Sequence, residues 1–220
     1  MMDLPLFPLN TVLFPGMPLS LHIFEERYKA MINACISEKM PFGVVLIAEG
    51  AEANGPLAAP YEYGCTAQIT QVQPLVQGRM NLVAVGQDRF RIIEVDRDSQ
   101  PYLVGKVEMA PMKDSSPATL QKQGEKLYDH VLRYLEILTQ AGDVQFDPDQ
   151  LPKDAMPLAN LAAFLVRVDS DKKQLLLEAE TTSKFVAGVR ALYSTENALL
   201  ETMLKASDED DGNPATFSLN

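Results

Sequence analysis

Tryptophan is absent from this chain of 220 residues, and cysteine and histidine occur only twice each. The two cysteines, Cys35 and Cys65, cannot form a disulfide framework. Together with His22 and His130 they lack the close ligand spacing of a zinc site. Free thiols are typical of proteins in a reducing compartment. The sequence therefore predicts a cytoplasmic protein that has no metal site.

Long apolar runs and an early basic cluster are also missing. No lysine or arginine precedes Arg27, and prolines interrupt the apolar residues before it, which is unlike a secretory signal. The apolar run Val44–Ala48 is too short to span a bilayer, so no membrane partner is expected. The only Gly-Lys pair, Gly105-Lys106, does not end a phosphate-binding loop, and no glycine-rich dinucleotide fingerprint occurs. We therefore expect no cofactor.

Positive charge is scarce as well, since the formal net charge is −11. Most of the excess negative charge falls after residue 113. Such a balance repels phosphate backbones, so nucleic acid is an unfavoured partner. A local basic patch remains an alternative, because four arginines lie in neighbouring predicted strands: Arg79, Arg89, Arg91 and Arg97. We favour their interpretation as solvated partners of the acidic residues that alternate with them.

The first half of the chain carries the hydrophobic periodicity of β-strands. Alternating or continuous apolar segments predict strands around 19–23, 42–48, 66–72, 82–85, 89–95 and 102–109. One helix is predicted between the first two, because apolar residues recur at helical spacing from Phe24 to Ile36. Several short strands without βαβ alternation favour an antiparallel β-barrel with one inserted helix over residues 1–113.

Prolines punctuate the segment that precedes these strands. Proline cannot donate to a ladder, so we expect Pro5–Pro18 to cross one end of the barrel without pairing. Within it, Phe14-Pro15-Gly16-Met17 predicts a turn, with proline setting φ near −65° and glycine supplying a positive φ. Phe14 and Met17 are expected to be exposed at this turn.

The second half changes to helical periodicity. Apolar stripes predict helices around 127–138 and 158–166, a third that begins at 175–177, and a fourth over 185–203 that Thr181 or Ser183 could cap. These helices would form a bundle over residues 114–206. The acidic, polar residues 207–220 are expected to form a disordered tail. The fold class is therefore α+β.

Five segments in fixed order suggest a family. They are LPLFPLNTVLFPGMPLSLHIFEERY, PFGVVLIAEG, YGCTAQITQV, VAVGQDRFRIIEV and LANLAAFLVRVDSDKKQLLLEAE. Together these segments resemble the Lon protease N-terminal (substrate-binding) domain family, in its free-standing bacterial form. The resemblance implies a PUA-like β-barrel followed by a helical bundle. It includes neither the ATPase nor the peptidase module of the full-length protease, so it implies a binding module and no catalytic residues.

The resemblance also implies a site and partners. We expect a non-enzymatic module that binds unfolded or peptide-like polypeptide segments, as a monomer or weak homodimer, and that could act as an adaptor for an ATP-dependent protease. The barrel–bundle junction is the predicted site, with Phe14, Met17 and Met112 as its candidate residues. Glu26 and Arg27 are candidates by family position alone, where the sequence departs from the Gly-Arg-Glu-Lys-like start of protease-fused members.

Two alternatives remain open. An RNA-binding PUA-like protein would use the four arginines of the predicted strands. A cofactor-free enzyme would need Cys35 or Cys65 to meet a histidine, whereas a buried cysteine ordinarily behaves as a small hydrophobic residue.

Overall fold

The computed structural model describes residues 1–51, 58–140, 142 and 146–211, with side chains as far as residue 204. This part of the chain forms a six-stranded sheet and five helices. The strands are β1 (Met2–Leu9), β2 (Pro18–Ile23), β3 (Phe42–Glu49), β4 (Ala59–Pro74), β5 (Met80–Asp96) and β6 (Leu103–Met109). The helices are α1 (Glu26–Glu38), α2 (Pro117–Gln140), α3 (Ala155–Leu165), α4 (Ser170–Leu177) and α5 (Thr182–Asp211).

The sheet is mixed, and the prediction of a purely antiparallel sheet is wrong in one pairing. Strand order is β2-β5-β4-β3-β1-β6, and β5 also pairs with β6. All pairs are antiparallel except β1 with β3. The chain passes through β2 and α1 between these two strands, and such a long crossover allows it to return in the same direction.

The proline-rich start of the chain is a strand, which the sequence analysis did not predict. β1 pairs with β6 over Met2–Leu6 and with β3 over Leu6–Leu9. Pro5 lies only in the first ladder and Pro8 only in the second. Each proline therefore has one side of the strand on which no ladder hydrogen bond is required, so both are tolerated.

The two predicted strands 82–85 and 89–95 are a single long strand, β5. Gly86 lies within this strand and is hydrogen-bonded to the Phe14–Met17 turn. Gly16 N–H donates to Gly86 O at 2.8 Å, and Gly86 N–H donates to Met17 O at 3.0 Å. A Cβ at Gly86 would lie 2.4 Å from Phe14 O, so only glycine permits this approach.

The Phe14–Met17 turn has the predicted conformation but not the predicted exposure. Gly16 has φ +78°, and Met17 N–H donates to Phe14 O at 3.1 Å. Phe14, however, is fully buried, so the expectation that it is exposed is wrong. The turn folds onto β5 and directs the Phe14 ring toward the helices, where it lies 6.0 Å from the ring of Phe185.

Side-chain caps begin two of the helices in the second half, and the one at Thr181 was predicted from the sequence. Thr181 Oγ1 accepts from Lys184 N–H at 3.1 Å and caps α5. Ser116 Oγ accepts from Thr119 N–H at 3.3 Å ahead of Pro117, the first residue of α2. Residues 207–211 of the expected tail continue α5, and residues 212–220 lie outside the described residues.

One core cluster joins the sheet to the helices, and we call this contact the junction. It contains Val12, Phe14 and Leu46 from the first half together with buried residues of α2 to α5. Two smaller clusters fill the sheet, one beneath α1 and one around Phe90. The junction is thus a packed interior that positions the helices against the sheet.

Arg89 fixes the junction with hydrogen bonds to backbone carbonyls. Its guanidinium donates to Ala110 O at 2.5 Å, to Leu177 O at 2.8 Å and to Ala179 O at 2.6 Å, and lies 5.2 Å from the ring of Tyr63. The last carbonyls of a helix have no partner within it, and the negative end of its dipole favours a cation. Arg89 therefore caps the C-terminus of α4.

None of the described helices combines the length and the hydropathy needed to cross a bilayer.

Candidate functional site

One open surface of the sheet lies on the side of β2, β5 and β4 that faces away from the core. His22 on β2 pairs with Asn81 on β5, which pairs with Gln73 on β4. Their side chains form a row: His22 Nδ1 lies 2.7 Å from Asn81 Oδ1, and Asn81 Nδ2 donates to Gln73 Oε1 at 3.4 Å. Strand registration thus assembles a hydrogen-bonding row from three distant segments.

A groove of about 620 Å³ follows this row, and we call it the outer face. It is lined by Ser20, Leu21, His22, Gln71, Val72, Gln73, Asn81, Leu82 and Val83. No Asp, Glu, Lys or Arg occurs among these lining residues, although the chain as a whole has a net charge of −11. Amide side chains donate and accept at once, so the outer face can bind polypeptide backbone without selecting for charge.

A second depression of about 260 Å³ adjoins the outer face, and we call it the β1–β2 cleft. It is lined by Phe7, Leu9, Ser20, Leu21, His22, Ile23, Phe24, Glu25 and Tyr28. Phe7 and Tyr28 stack with ring centroids 4.1 Å apart, and His22 and Phe24 stack at 5.9 Å. The two depressions share Ser20, Leu21 and His22, so they form one continuous surface.

The predicted site residues of the junction are mostly part of its packing. Phe14 is fully buried, while Met17 and Met112 are half-buried and pack against the core cluster of the junction. No described pocket includes any of the three. The structure brings all three residues into one packed cluster at the junction. Their role in binding stays a prediction.

Glu26 and Arg27 lie at the start of α1, beside the β1–β2 cleft. Glu26 is exposed and pairs with Lys29 Nζ at 2.7 Å, while half-buried Arg27 pairs with Glu25 at 2.9 Å and covers the ring of Tyr28 at 4.7 Å. Glu25 and Tyr28 are cleft residues. Glu26 and Arg27 therefore lie beside the β1–β2 cleft, and their role in binding also stays a prediction.

The four arginines of the RNA-binding alternative do not act as a set. Arg89 is held inside the junction by carbonyl groups, and burial lowers the pKa of its guanidinium, opposed by a smaller effect of Tyr63. Arg91 pairs with Glu62 at 3.2 Å, and Arg79 Nε donates to Val76 O at 3.4 Å. The interpretation of Arg89 as a solvated partner of nearby acidic residues is wrong, because its partners are backbone carbonyls.

The thiols required by the enzyme alternative are buried and protonated at neutral pH. Burial raises the pKa of Cys35 to about 11, with Glu38 adding to the shift, and raises the pKa of Cys65 to about 12. A thiolate is the nucleophilic form of cysteine, so both environments oppose that chemistry. Among the described residues, no group of three or more His, Cys, Asp or Glu side chains could hold a metal ion.

The amide side chains of the outer face were not predicted from the sequence as candidate site residues. Their signal is a period-two pattern, in which Gln71 and Gln73 alternate with Val72 on β4 and Asn81 precedes Leu82 on β5. Such alternation marks the solvent side of any half-buried strand. Only the registration of β2, β5 and β4 shows that these side chains meet His22 in one row.

Comparison with known proteins identifies relatives of this chain. A family model described as the ATP-dependent protease La (LON) substrate-binding domain matches residues 3–186. Lon protease 2 of Myxococcus xanthus is 28% identical over 177 residues, which cover 80% of this chain and 21% of that protein. A LON peptidase N-terminal domain and RING finger protein of Schizosaccharomyces pombe is 35% identical over 106 residues, covering 43% of this chain and 22% of that protein.

Solved structures show the same fold. The crystal structure of a Lon N-terminal domain protein from Xanthomonas campestris has a TM-score of 0.61 at 24% identity, covering 87% of this chain and 98% of that one. The N-terminal domain of Mycobacterium avium complex Lon protease has a TM-score of 0.65 at 17% identity, with 88% and 98% covered. The chain spans about a fifth of the length of the curated relatives just described.

Proposed function

This chain belongs to the LON substrate-binding domain family, and on that premise we propose that it binds unfolded polypeptide segments on its outer face without catalysing a reaction. The observation that carries the proposal is the uncharged lining of the outer face in a chain of net charge −11. Unfolded segments share a backbone but differ in charge, so a surface built from amides suits them.

The closure of the strand pairings supports a PUA-like barrel as the scaffold. The pairings β5–β4–β3–β1–β6 return to β5, which leaves β2 as an additional strand on β5. The division into a barrel domain over residues 1–113 and a helical domain over 114–206 belongs to the same proposal. Because both halves contribute to the core cluster of the junction, we expect them to unfold together.

The outer face also disfavours RNA as the ligand. Binding to a phosphate backbone depends on Lys and Arg side chains that replace its counterions. The lining of the outer face has none, and Arg89 is committed to the junction. We therefore keep polypeptide as the ligand, acting in the cytoplasm as a monomer or weak homodimer, with delivery of bound clients to an ATP-dependent protease as the adaptor role.

The experiment measures binding of two permanently unfolded clients of opposite charge: reduced, carboxymethylated lactalbumin and reduced, carboxamidomethylated ribonuclease A. Fluorescence anisotropy should show saturable binding of both, with dissociation constants within about tenfold of each other at physiological salt. Both clients should remain intact by mass, with no ATP consumed. The proposal fails if neither client binds, or if either is cleaved.

A matched pair of variants locates the site. Gln73→Ala with Asn81→Ala removes two amides of the outer face, and Asn33→Ala with Gln87→Ala removes two exposed amides elsewhere. Two lost hydrogen bonds correspond to about tenfold weaker binding for the first double variant. The second should bind within about twofold of the unmodified protein. Equal affinities would place the site away from the outer face.

A further inference from the structure

The free edge of β2 is the feature that the proposed function leaves unused. β2 pairs with β5 at every position from Pro18 to Ile23, and within the described part of the chain no strand pairs with its other edge. An unpaired edge presents a row of N–H and C=O groups that can accept another strand.

A second unpaired edge borders the same cleft. The ladder between β1 and β6 ends at Leu6, and from Phe7 onward β1 pairs with β3 alone. Phe7 and Leu9 line the β1–β2 cleft opposite residues of β2. β1 is antiparallel to β6, β6 to β5 and β5 to β2, so β1 and β2 run in opposite directions on the two sides of the cleft.

The edge of β2 lacks the features that usually prevent strand addition. Charged side chains, prolines within the strand and bulges are the common protections. β2 reads PLSLHI, with no charged residue and with its one proline at the first position. Its ladder with β5 runs without a register shift. The backbone of β2 is therefore a regular template for an added strand.

The side chains around the cleft define what the added strand would carry. Phe24 is 45% exposed at the end of β2, and the stacked rings of Phe7 and Tyr28 form an apolar floor. Side chains of a strand alternate between two faces, so one face of the incoming segment would be apolar. The exposed carboxylate of Glu26 next to the cleft favours a basic residue at one end of the segment.

We propose that an extended polypeptide segment pairs with the free edge of β2 in the β1–β2 cleft, with apolar side chains at alternate positions directed onto Phe7, Phe24 and Tyr28. This binding mode rests on the proposed function and specifies how a segment would be bound. Backbone pairing with β2 gives affinity, and the cleft selects segments with apolar side chains at alternate positions. A second copy of the chain is opposed by charge, because each copy has a net charge of −11.

The probe is a capped peptide of about eight residues in which valine or phenylalanine alternates with threonine and a lysine stands at each end. Two further peptides carry N-methyl groups on alternate residues, one peptide for each edge of the strand. N-methylation removes hydrogen-bond donors and leaves the side chains in place. We expect one of the two methylated peptides to bind at least about tenfold more weakly than the unmodified peptide.

The outcomes separate this mode from the proposed function. If both methylated peptides bind as tightly as the unmodified one, pairing with β2 is wrong while polypeptide binding stands. If the unmodified peptide fails to bind but the unfolded clients bind, the mode is likewise overturned. If neither the peptide nor the clients bind, the proposed function itself fails. Dimerisation of the chain that competes with the peptide would identify a second copy as the occupant and overturn the choice of a foreign segment.

A matched pair of variants tests the cleft directly. Phe24→Ala removes the exposed ring at the cleft, and Phe164→Ala makes the same change on α3, where the ring is 40% exposed. We expect Phe24→Ala to weaken peptide binding about tenfold, as burial of half an aromatic ring implies. Phe164→Ala should change the affinity by less than about twofold. Equal effects of the two variants would contradict a site at the cleft.

Discussion

The junction and the outer face use opposite principles, although both are built on β5. At the junction, the guanidinium of Arg89 on β5 donates to three backbone carbonyls. On the outer face, Asn81 of the same strand is exposed and forms a row with His22 and Gln73. One end of this strand therefore holds the two halves of the chain together, and the other end forms part of an open surface.

The same contrast separates the two phenylalanines of the N-terminal segment. Phe14 lies in the core cluster of the junction, while Phe24 borders the β1–β2 cleft and remains 45% exposed. Phe14 precedes β2 and Phe24 follows it, and both lie in apolar stretches of sequence. Their chemical identity does not distinguish them; their positions relative to the sheet do. The predictions below test whether stability belongs to the junction and binding to the open surface.

The largest effect is expected for Phe14→Ala. Removal of a fully buried ring leaves a cavity between the turn and Phe185, which costs about 3–5 kcal/mol of unfolding free energy. Chemical denaturation measures this loss. In the folded variant, the affinity for unfolded clients should remain unchanged. A folded Phe14→Ala protein that no longer binds would break the comparison, because it would make the junction part of the site.

Arg89→Met should have the next largest effect. The substitution keeps much of the side-chain volume but leaves the carbonyls of Ala110, Leu177 and Ala179 without the guanidinium, at a cost of about 2–3 kcal/mol. Arg91→Met is the matched control on β5, since its ion pair with Glu62 is exposed and contributes less than about 1 kcal/mol. Similar losses in the two variants, measured by denaturation, would contradict the capping role of Arg89.

A third effect, absent at neutral pH and growing above about pH 8.5, is expected from the buried thiols. The pKa values of Cys35 and Cys65 are raised in the folded state, to about 11 and about 12, mainly by burial. An unfolded thiol ionises near pH 8.5, so above that pH the unfolded state releases protons that the folded state keeps. Stability is therefore fully present below about pH 8.5 and falls as the pH rises, by up to about 1.4 kcal/mol per pH unit for each thiol.

Denaturation at pH 7.5, 8.5, 9.5 and 10 measures this slope. The double variant Cys35→Ala with Cys65→Ala is less stable overall because it creates cavities, but it should lose the part of the slope that comes from the thiols. An unchanged slope would mean that other groups cause the dependence. Such a result would show that the core of the sheet does not contribute to the pH dependence of stability.

Local patterns in the sequence predicted most of the elements. Alternation in Leu19, Leu21 and Ile23 predicted β2, and helical spacing predicted α1, α2, α3 and α5. A helix beginning at 175–177 was also predicted, but α4 ends there. Thr181 was correctly named as a possible cap of α5. These signals depend on neighbours within a few residues, where side-chain period and capping chemistry decide the conformation. The ordered motifs also gave the family, which the family model confirms over residues 3–186.

The failures all involve contacts between distant segments. β1 was missed because its prolines read as breakers until the limits of its two ladders are known. Phe14 was expected on the surface because turns usually lie there. This turn instead folds back onto Gly86 of β5, about 70 residues further along the chain, and no local pattern shows that contact.

The sequence by itself determined most of the strands and helices and the chain's membership of the LON substrate-binding domain family, because period, capping and motif order are properties of neighbouring residues. Tertiary structure alone decided which surfaces are closed and which are open. Burial of Phe14, the carbonyl contacts of Arg89 and the row His22–Asn81–Gln73 each depend on the registration and packing of segments far apart in the chain. A groove exists only where packing leaves one, and no single segment of sequence specifies that.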